Sequence, residues 1–112
     1  MAALFYGLGK LTVPAPGTPV ALTLPATLNP TSVHAFLVEA LATNTGKVYV
    51  GLDGLDRVTL DSVLVVLPVP TASSLPTFSV SLTQAANALN LAQLRFDADV
   101  ASDGVLVSAL VA

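Results

Sequence analysis

The chain reads as short blocks of Val, Leu, Ala and Thr separated by a Pro or Gly every ten residues or so. That punctuation, with β-branched alternation inside the blocks, is the pattern of an all-β protein. Residues 18–24 set Val20, Leu22 and Leu24 against Ala21 and Thr23 and stop at Pro25, as a half-buried strand does. Residues 33–41 place Val33, Ala35, Leu37 and Glu39 on one strand face and His34, Phe36, Val38 and Ala40 on the other. Ala, Leu and Glu are also good helix formers, so a helix competes there. The turn-forming Thr43-Asn44-Thr45-Gly46 and the β-branched Val48 and Val50 decide for a strand. They predict a β-hairpin from 33–41 into 47–50, with Asn44 tolerating left-handed geometry and Gly46 supplying positive φ.

Further along, Gly51, Asp53, Gly54 and Asp56 mark a loop, followed by strand character at 58–60 and 62–69. The second of these is apolar on both faces, as expected for a strand buried on both sides or facing a neighbouring subunit. After a Ser/Pro loop at 71–76, residues 77–83 alternate Phe78, Val80 and Leu82 inward with Ser79 and Ser81 outward. Residues 84–92 suggest a short turn-like helix, too short to stand alone. Residues 94–100 put Leu94, Phe96, Ala98 and Val100 on a dry face and Arg95, Asp97 and Asp99 on a wet one. Asp103-Gly104 then predicts a tight turn into a last strand, 105–111, paired antiparallel with 94–100. Asn44, Gly46, Gly51, Gly54, Asp103 and Gly104 are thus the expected structural turns. Seven or eight such strands, with no internal repeat of 20 to 50 residues, predict one antiparallel β-sandwich, jelly-roll-like or immunoglobulin-like, over 18–112. Residues 1–17 are rich in Gly and Pro and predict an extended N-terminal arm, with Leu4, Phe5 and Tyr6 as anchors and strand only at 10–13.

Composition sharpens this reading. The 112 residues suit one domain. The hydrophobic fraction is 54%, the charged fraction 10% and the mean hydropathy +0.80, where soluble domains carry roughly 25% charged residues. Disorder is excluded, because it needs low hydrophobicity and high charge. Four Lys+Arg against seven Asp+Glu, net −3, leave no basic patch for a nucleic acid. A membrane helix needs about 18 to 20 unbroken apolar residues, and the longest apolar run is cut by Pro68 and Pro70. The start lacks a positive region ahead of its apolar residues, so it reads as mature chain. A domain this small cannot bury half its residues in one core, so part of the apolar surplus belongs to an interface. Val65, Leu67, Leu106 and Leu110 are the candidates, on strands whose two faces are both apolar.

Candidate chemistry is sparse. There is no Cys, and His34 is the only histidine, so a catalytic relay or multi-histidine metal site would have to be built around it alone. It reads as a residue on the outer face of a strand. The run from Asp97 to Gly104 fails the calcium-loop pattern, with Ser102 where Gly is needed and Ser108 where the closing Glu is needed. Asp97 and Asp99 read instead as surface charges flanking Arg95, and Asp103 as a turn residue. Asp53 and Asp56 have no cleft to work across. Ser73 and Ser74 lack the glycines of a nucleophile elbow, and Gly7-Leu8-Gly9-Lys10 is too short for a phosphate loop. The expectation is a non-enzyme that uses no cofactor.

Asn44-Thr45-Gly46-Lys47-Val48-Tyr49-Val50-Gly51, preceded by the 33–41 strand and followed by Gly54, resembles a hairpin that recurs in small tailed-phage virion proteins. The stretch from Leu89 to Asp99, then Asp103-Gly104-Val105, is similar to their closing element. The resemblance covers residues 33–111. It implies a β-sandwich of the head-decoration (cement) or auxiliary capsid type, forming a homo-oligomer, with a trimer favoured, on the major capsid protein at the phage head surface. The same hairpin permits a tail or fibre-associated subunit. A carbohydrate-binding sandwich is the alternative from another class, though it would normally offer exposed aromatics. The scarcity of charge and the abundance of Leu, Ala, Val and Pro depart from the usual pattern; that bias and the missing Cys suit a thermophilic host, although ion pairs, the better-attested device there, are few.

Overall fold

A computed structural model describes residues 4–28, 33–81 and 90–111, with the side chains of Leu4, Phe5, His34, Val80, Ser81 and Val111 outside the described set. Eight strands form two four-stranded antiparallel sheets. In chain order they are β1 (Leu4–Thr12), β2 (Val20–Ala21), β3 (Val33–Ala40), β4 (Val48–Leu52), β5 (Val63–Leu67), β6 (Thr77–Ser81), β7 (Leu94–Ala98) and β8 (Gly104–Val111). The first sheet runs β1-β8-β3-β6 and the second β2-β7-β4-β5. Hydrogen-bonded partners therefore include the first strand with the last, the second with the seventh, the third with the sixth and the fourth with the fifth. A long hairpin rolled up on itself gives this connectivity, which is that of an eight-stranded jelly roll.

Between the sheets lies a core of inward-facing residues at every second position. Phe36, Val38 and Ala40 of β3 and Val105, Val107 and Ala109 of β8 meet Val48 and Val50 of β4 and Leu94, Phe96 and Ala98 of β7. Phe36 and Phe78 pack edge to face, their ring centroids 5.7 Å apart, the arrangement that aromatic quadrupoles favour.

Several strand expectations need correction. Residues 33–41 and 47–50 do not form a hairpin, because β3 lies in the first sheet and β4 in the second. Likewise 94–100 and 105–111 are not paired: β7 bonds β2 and β4, while β8 bonds β1 and β3. Both connections arch from one sheet to the other. Among the described residues, β4 and β5 are the only sequential strands that pair.

Other bounds move for local reasons. Strand in the N-terminal segment spans Leu4–Thr12, not 10–13, because β1 pairs with β8 along its length. A bulge at Gly7/Gly9, with Gly9 at φ +83°, keeps that edge in register. The expected strand at 18–24 shortens to Val20–Ala21, hemmed in by Pro19 and Pro25. Residues 58–60 are turn and loop, not strand, with Leu60 at φ +66° and Ser62 at φ +58°. Of the expected helix at 84–92, residues 84–89 lie outside the described set, and Leu91–Gln93 form a 3-10 turn capped by the Asn90 side chain. Residues 82 and 83 of the expected strand 77–83 are also outside it.

Candidate interaction surface

The two arches meet at one end of the sandwich and lock each other. Asn44 is buried; its Nδ2 donates to the Gly104 carbonyl and its Oδ1 accepts from the Gly104 N–H, each at 2.8 Å. Buried Asp103 reciprocates, its Oδ2 accepting from the backbone N–H of Thr45 at 3.0 Å and of Gly46 at 2.8 Å. The end of β1 joins through Val13, whose N–H donates to the Asp103 carbonyl and whose carbonyl accepts from Ser102. Asn44 and Asp103 thus hold an inter-sheet corner in place of two separate hairpin turns. Buried polar groups need partners, and each loop supplies them to the other across about 60 positions of sequence.

Gly46 and Gly104 serve the same corner by lacking a side chain. Gly46 is not at positive φ as expected; a Cβ there would stand 2.8 Å from the Val100 side chain. At Gly104 a Cβ would collide with the Leu11 carbonyl oxygen. Gly51 lies within β4, not in a turn, where the register with β5 slips and the Ser62 carbonyl crowds in. Gly54 does occupy a turn, at φ +88°.

On the outer face of the second sheet the expected wet side is wet at Asp99 and partly at Arg95 but dry at Asp97, while Val100, expected on the dry side, lies past the end of β7 and is exposed. Asp97 is only 1% exposed. One of its oxygens accepts from the backbone N–H of Gly17 at 3.0 Å and of Ala98 at 2.8 Å, so it pins the 13–19 loop to the sheet. Arg57, on the loop between β4 and β5, lies over it with Nε 3.9 Å from Asp97 and donates from its terminal guanidinium nitrogen to Asp99 at 3.1 Å. Tyr49, beside Asp97 in the register, donates its hydroxyl to Asp99 at 3.1 Å. Burial first, then the hydrogen bond to Asp99, pushes the Tyr49 phenol above its ordinary pKa, so it stays a proton donor. The loop is shaped at its root by Asp56, whose carboxylate accepts from Val58 and Thr59. Those backbone donors, Val58 foremost, hold its pKa below the ordinary carboxylate value. The cluster acts as a clamp that lays two loops over the sheet.

The acids weighed as a cation loop do not converge. Asp97 and Asp99 face Arg57, whereas Asp103 turns into the corner. Among the described residues no group of three or more His, Asp or Glu is placed to hold a metal ion. Asp53 is exposed and lies 3.9 Å from the Arg95 guanidinium. Backbone places His34 in β3.

The outer face of the first sheet is different in kind. Leu106 and Leu37 are 48% and 40% exposed and stand in adjacent rows on the central strands β8 and β3. Leu110, further along β8, is half-buried on the same face. Of the four apolar candidates, then, Leu106 and Leu110 lie on this open face. Leu67 is buried in the core and Val65 is packed against it, because the alternation of β5 turns both toward β4's inward side. Tyr6, expected as an arm anchor, is half-buried against the core; the Leu4 and Phe5 side chains are outside the described set. The bare face had a sequence signal in the alternation of β3 and β8. The clamp had none, since nothing local marks Asp97 or Arg57 as partners.

Comparison with known proteins gives no match: no protein family, no curated protein and no solved structure aligns with the chain.

Proposed function

We propose that the chain is a non-enzymatic structural subunit of a tailed-phage virion, a capsid decoration (cement) protein that stabilises the head by binding across joints between capsid subunits. The observation that carries this reading is the amount of aliphatic surface left in the open on a chain with 10% charged residues. Leu37 and Leu106 stand on the first sheet, Val58 and Leu60 on the loop over the second, and Leu64 beside the bulge of edge strand β5. A free monomer gains nothing from such groups, whereas a lattice subunit covers them. At about 25 cal/mol per Å² of apolar surface removed from water, contact alone reinforces a joint. The partners are the major capsid protein and further copies of the chain, for which the resemblance favours a trimer.

Jelly rolls serve viral capsids and lectins alike, and fold does not fix function. Against the lectin reading, Tyr49 is buried and its hydroxyl holds Asp99, which removes it as a platform for a sugar ring. An open depression of about 610 Å³ beside the 70–75 loop is lined by Ala42, Pro70, Leu75 and hydroxyl-bearing residues, with no ring for stacking.

Mass spectrometry of purified, tail-free heads tests the proposal. The chain is expected in the heads at a copy number that follows the capsid lattice. Recovery only with tails would move it to a tail or fibre-associated subunit, and absence from virions altogether would defeat both.

A further inference from the structure

The open face of the first sheet has a pattern that fits itself. Across β1, β8 and β3 one row reads Lys10, Leu106, Glu39, and the next reads Gly7, Ser108, Leu37. Neighbours in these rows point outward, because the residues between them, Val105, Val107, Phe36 and Val38, are buried. Each row is centred on β8. On one side lies a cation or an open gap, since a Cβ at Gly7 would meet no atom within 4 Å. On the other side lies an anion or a protruding leucine. Among the described residues neither Lys10 nor Glu39 makes an ion pair within the chain.

From this geometry we infer that the face binds a second copy of the chain, about a two-fold axis running along β8 between the stacked sheets. That one operation exchanges β1 with β3. It lays Lys10 of each copy over Glu39 of the other, seats each Leu37 above the other's Gly7, and brings the two Leu106 side chains together on the axis. An isologous contact requires such reciprocity, and here charge and shape meet it with the same axis. Sheets stack face to face about 10 Å apart, near enough for these side chains to interdigitate. Three overlapping strands about 4.8 Å apart cover on the order of 400 Å² per copy in projection. That is small for a specific interface, so the dimer forms reversibly.

The inference stands apart from the virion reading and gives self-association a two-fold where the resemblance favours a three-fold. Sedimentation equilibrium of the full chain from a few to several hundred micromolar tests it. The wild type is expected to pass from monomer to dimer. Lys10→Glu and Glu39→Lys, each placing like charges opposite one another, are expected to weaken the dimer about tenfold. The double exchange, Lys10→Glu with Glu39→Lys, is expected to return it to within about threefold of the wild type, which also shows that the exchanged side chains permit folding. A wild type that stays monomeric throughout, a trimer indifferent to these changes, or a double exchange as weak as the two singles combined would each overturn the two-fold face.

Discussion

The two outer faces of this jelly roll are made of the same β-sheet surface and end in opposite conditions. The face of β2-β7-β4-β5 is roofed by the chain itself, through the 13–19 loop tied to Asp97 and the 53–62 loop tied through Arg57. The face of β1-β8-β3-β6 carries Lys10 and Glu39 around exposed leucines, and among the described residues no such roof is tied over Leu37 and Leu106. Most of the chain's few charges, including Arg57, Arg95, Asp97 and Asp99, serve the roofed face. The contrast teaches that low charge in a small domain need not mean uniformly sticky surface. Here the ionic groups are concentrated where they fasten the chain's own loops, and the apolar area left over lies on the other sheet, at Leu64 of edge strand β5 and on loops.

The contrast breaks most severely at Asp97. Asp97→Ala removes an acceptor that is 1% exposed, leaves the Gly17 and Ala98 N–H groups without it and takes the nearby countercharge from Arg57. Stranding buried polar partners costs about 3 kcal/mol, which urea denaturation will register as a lowered midpoint with the slope unchanged. Arg57→Met should cost less, about 1 kcal/mol, because the arginine is partly exposed and its contact with Asp99 lies at the surface. Hydrogen exchange should then quicken in 53–62 and stay slow in 13–19, since Asp97 still holds Gly17. Equal quickening in both loops would mean that they are one unit and not two separately tied covers.

Tyr49 gives the roofed face a pH signature. Its folded pKa lies above its ordinary value of 10.0, so folding favours the protonated phenol. The stabilisation is complete below pH 10 and is lost as pH rises through the folded pKa. Stability of the wild type should therefore fall faster above pH 10 than that of Tyr49→Phe, which has no proton to lose. Parallel pH curves for the two proteins would show that the phenol does not couple to the fold.

Much of this architecture was legible in the chain, and the parts that were not share a cause. Alternation in 35–40 sets Leu37 and Glu39 opposite Phe36, Val38 and Ala40 as found, because a period of two is a local property, but the register shift between Val33 and Ala35 breaks it and turns Val33 into the core. The two expected hairpins failed because Asn44-Thr45-Gly46 and Asp103-Gly104 have good local turn chemistry, while their polar groups are satisfied by each other. A sequence window around either loop cannot reveal the other. Asp97 has the sequence look of a surface charge for a similar reason: Gly17 and Arg57, which make its burial tolerable, lie far from it along the chain. The exposed face was legible in Leu106 and Leu110. Leu67, by contrast, lies in the core, and a run apolar on both sides does not say which side faces it.

The smallest expected effect on stability is also the sharpest contrast with Asp97. Leu106→Ser changes a side chain that is 48% exposed at the centre of the bare face, where no described residue depends on it for a hydrogen bond. Outward substitutions of this kind usually leave folding free energy within about 0.5 kcal/mol, whereas the same change on the inward side of β8, at the buried Val107, would open the core. At dilute concentration the melting temperature of Leu106→Ser should accordingly match the wild type within about 3 °C, while its tendency to self-associate declines. A clear loss of stability in the dilute monomer would mean that the leucine is covered by the chain itself, and the two faces would no longer differ in kind.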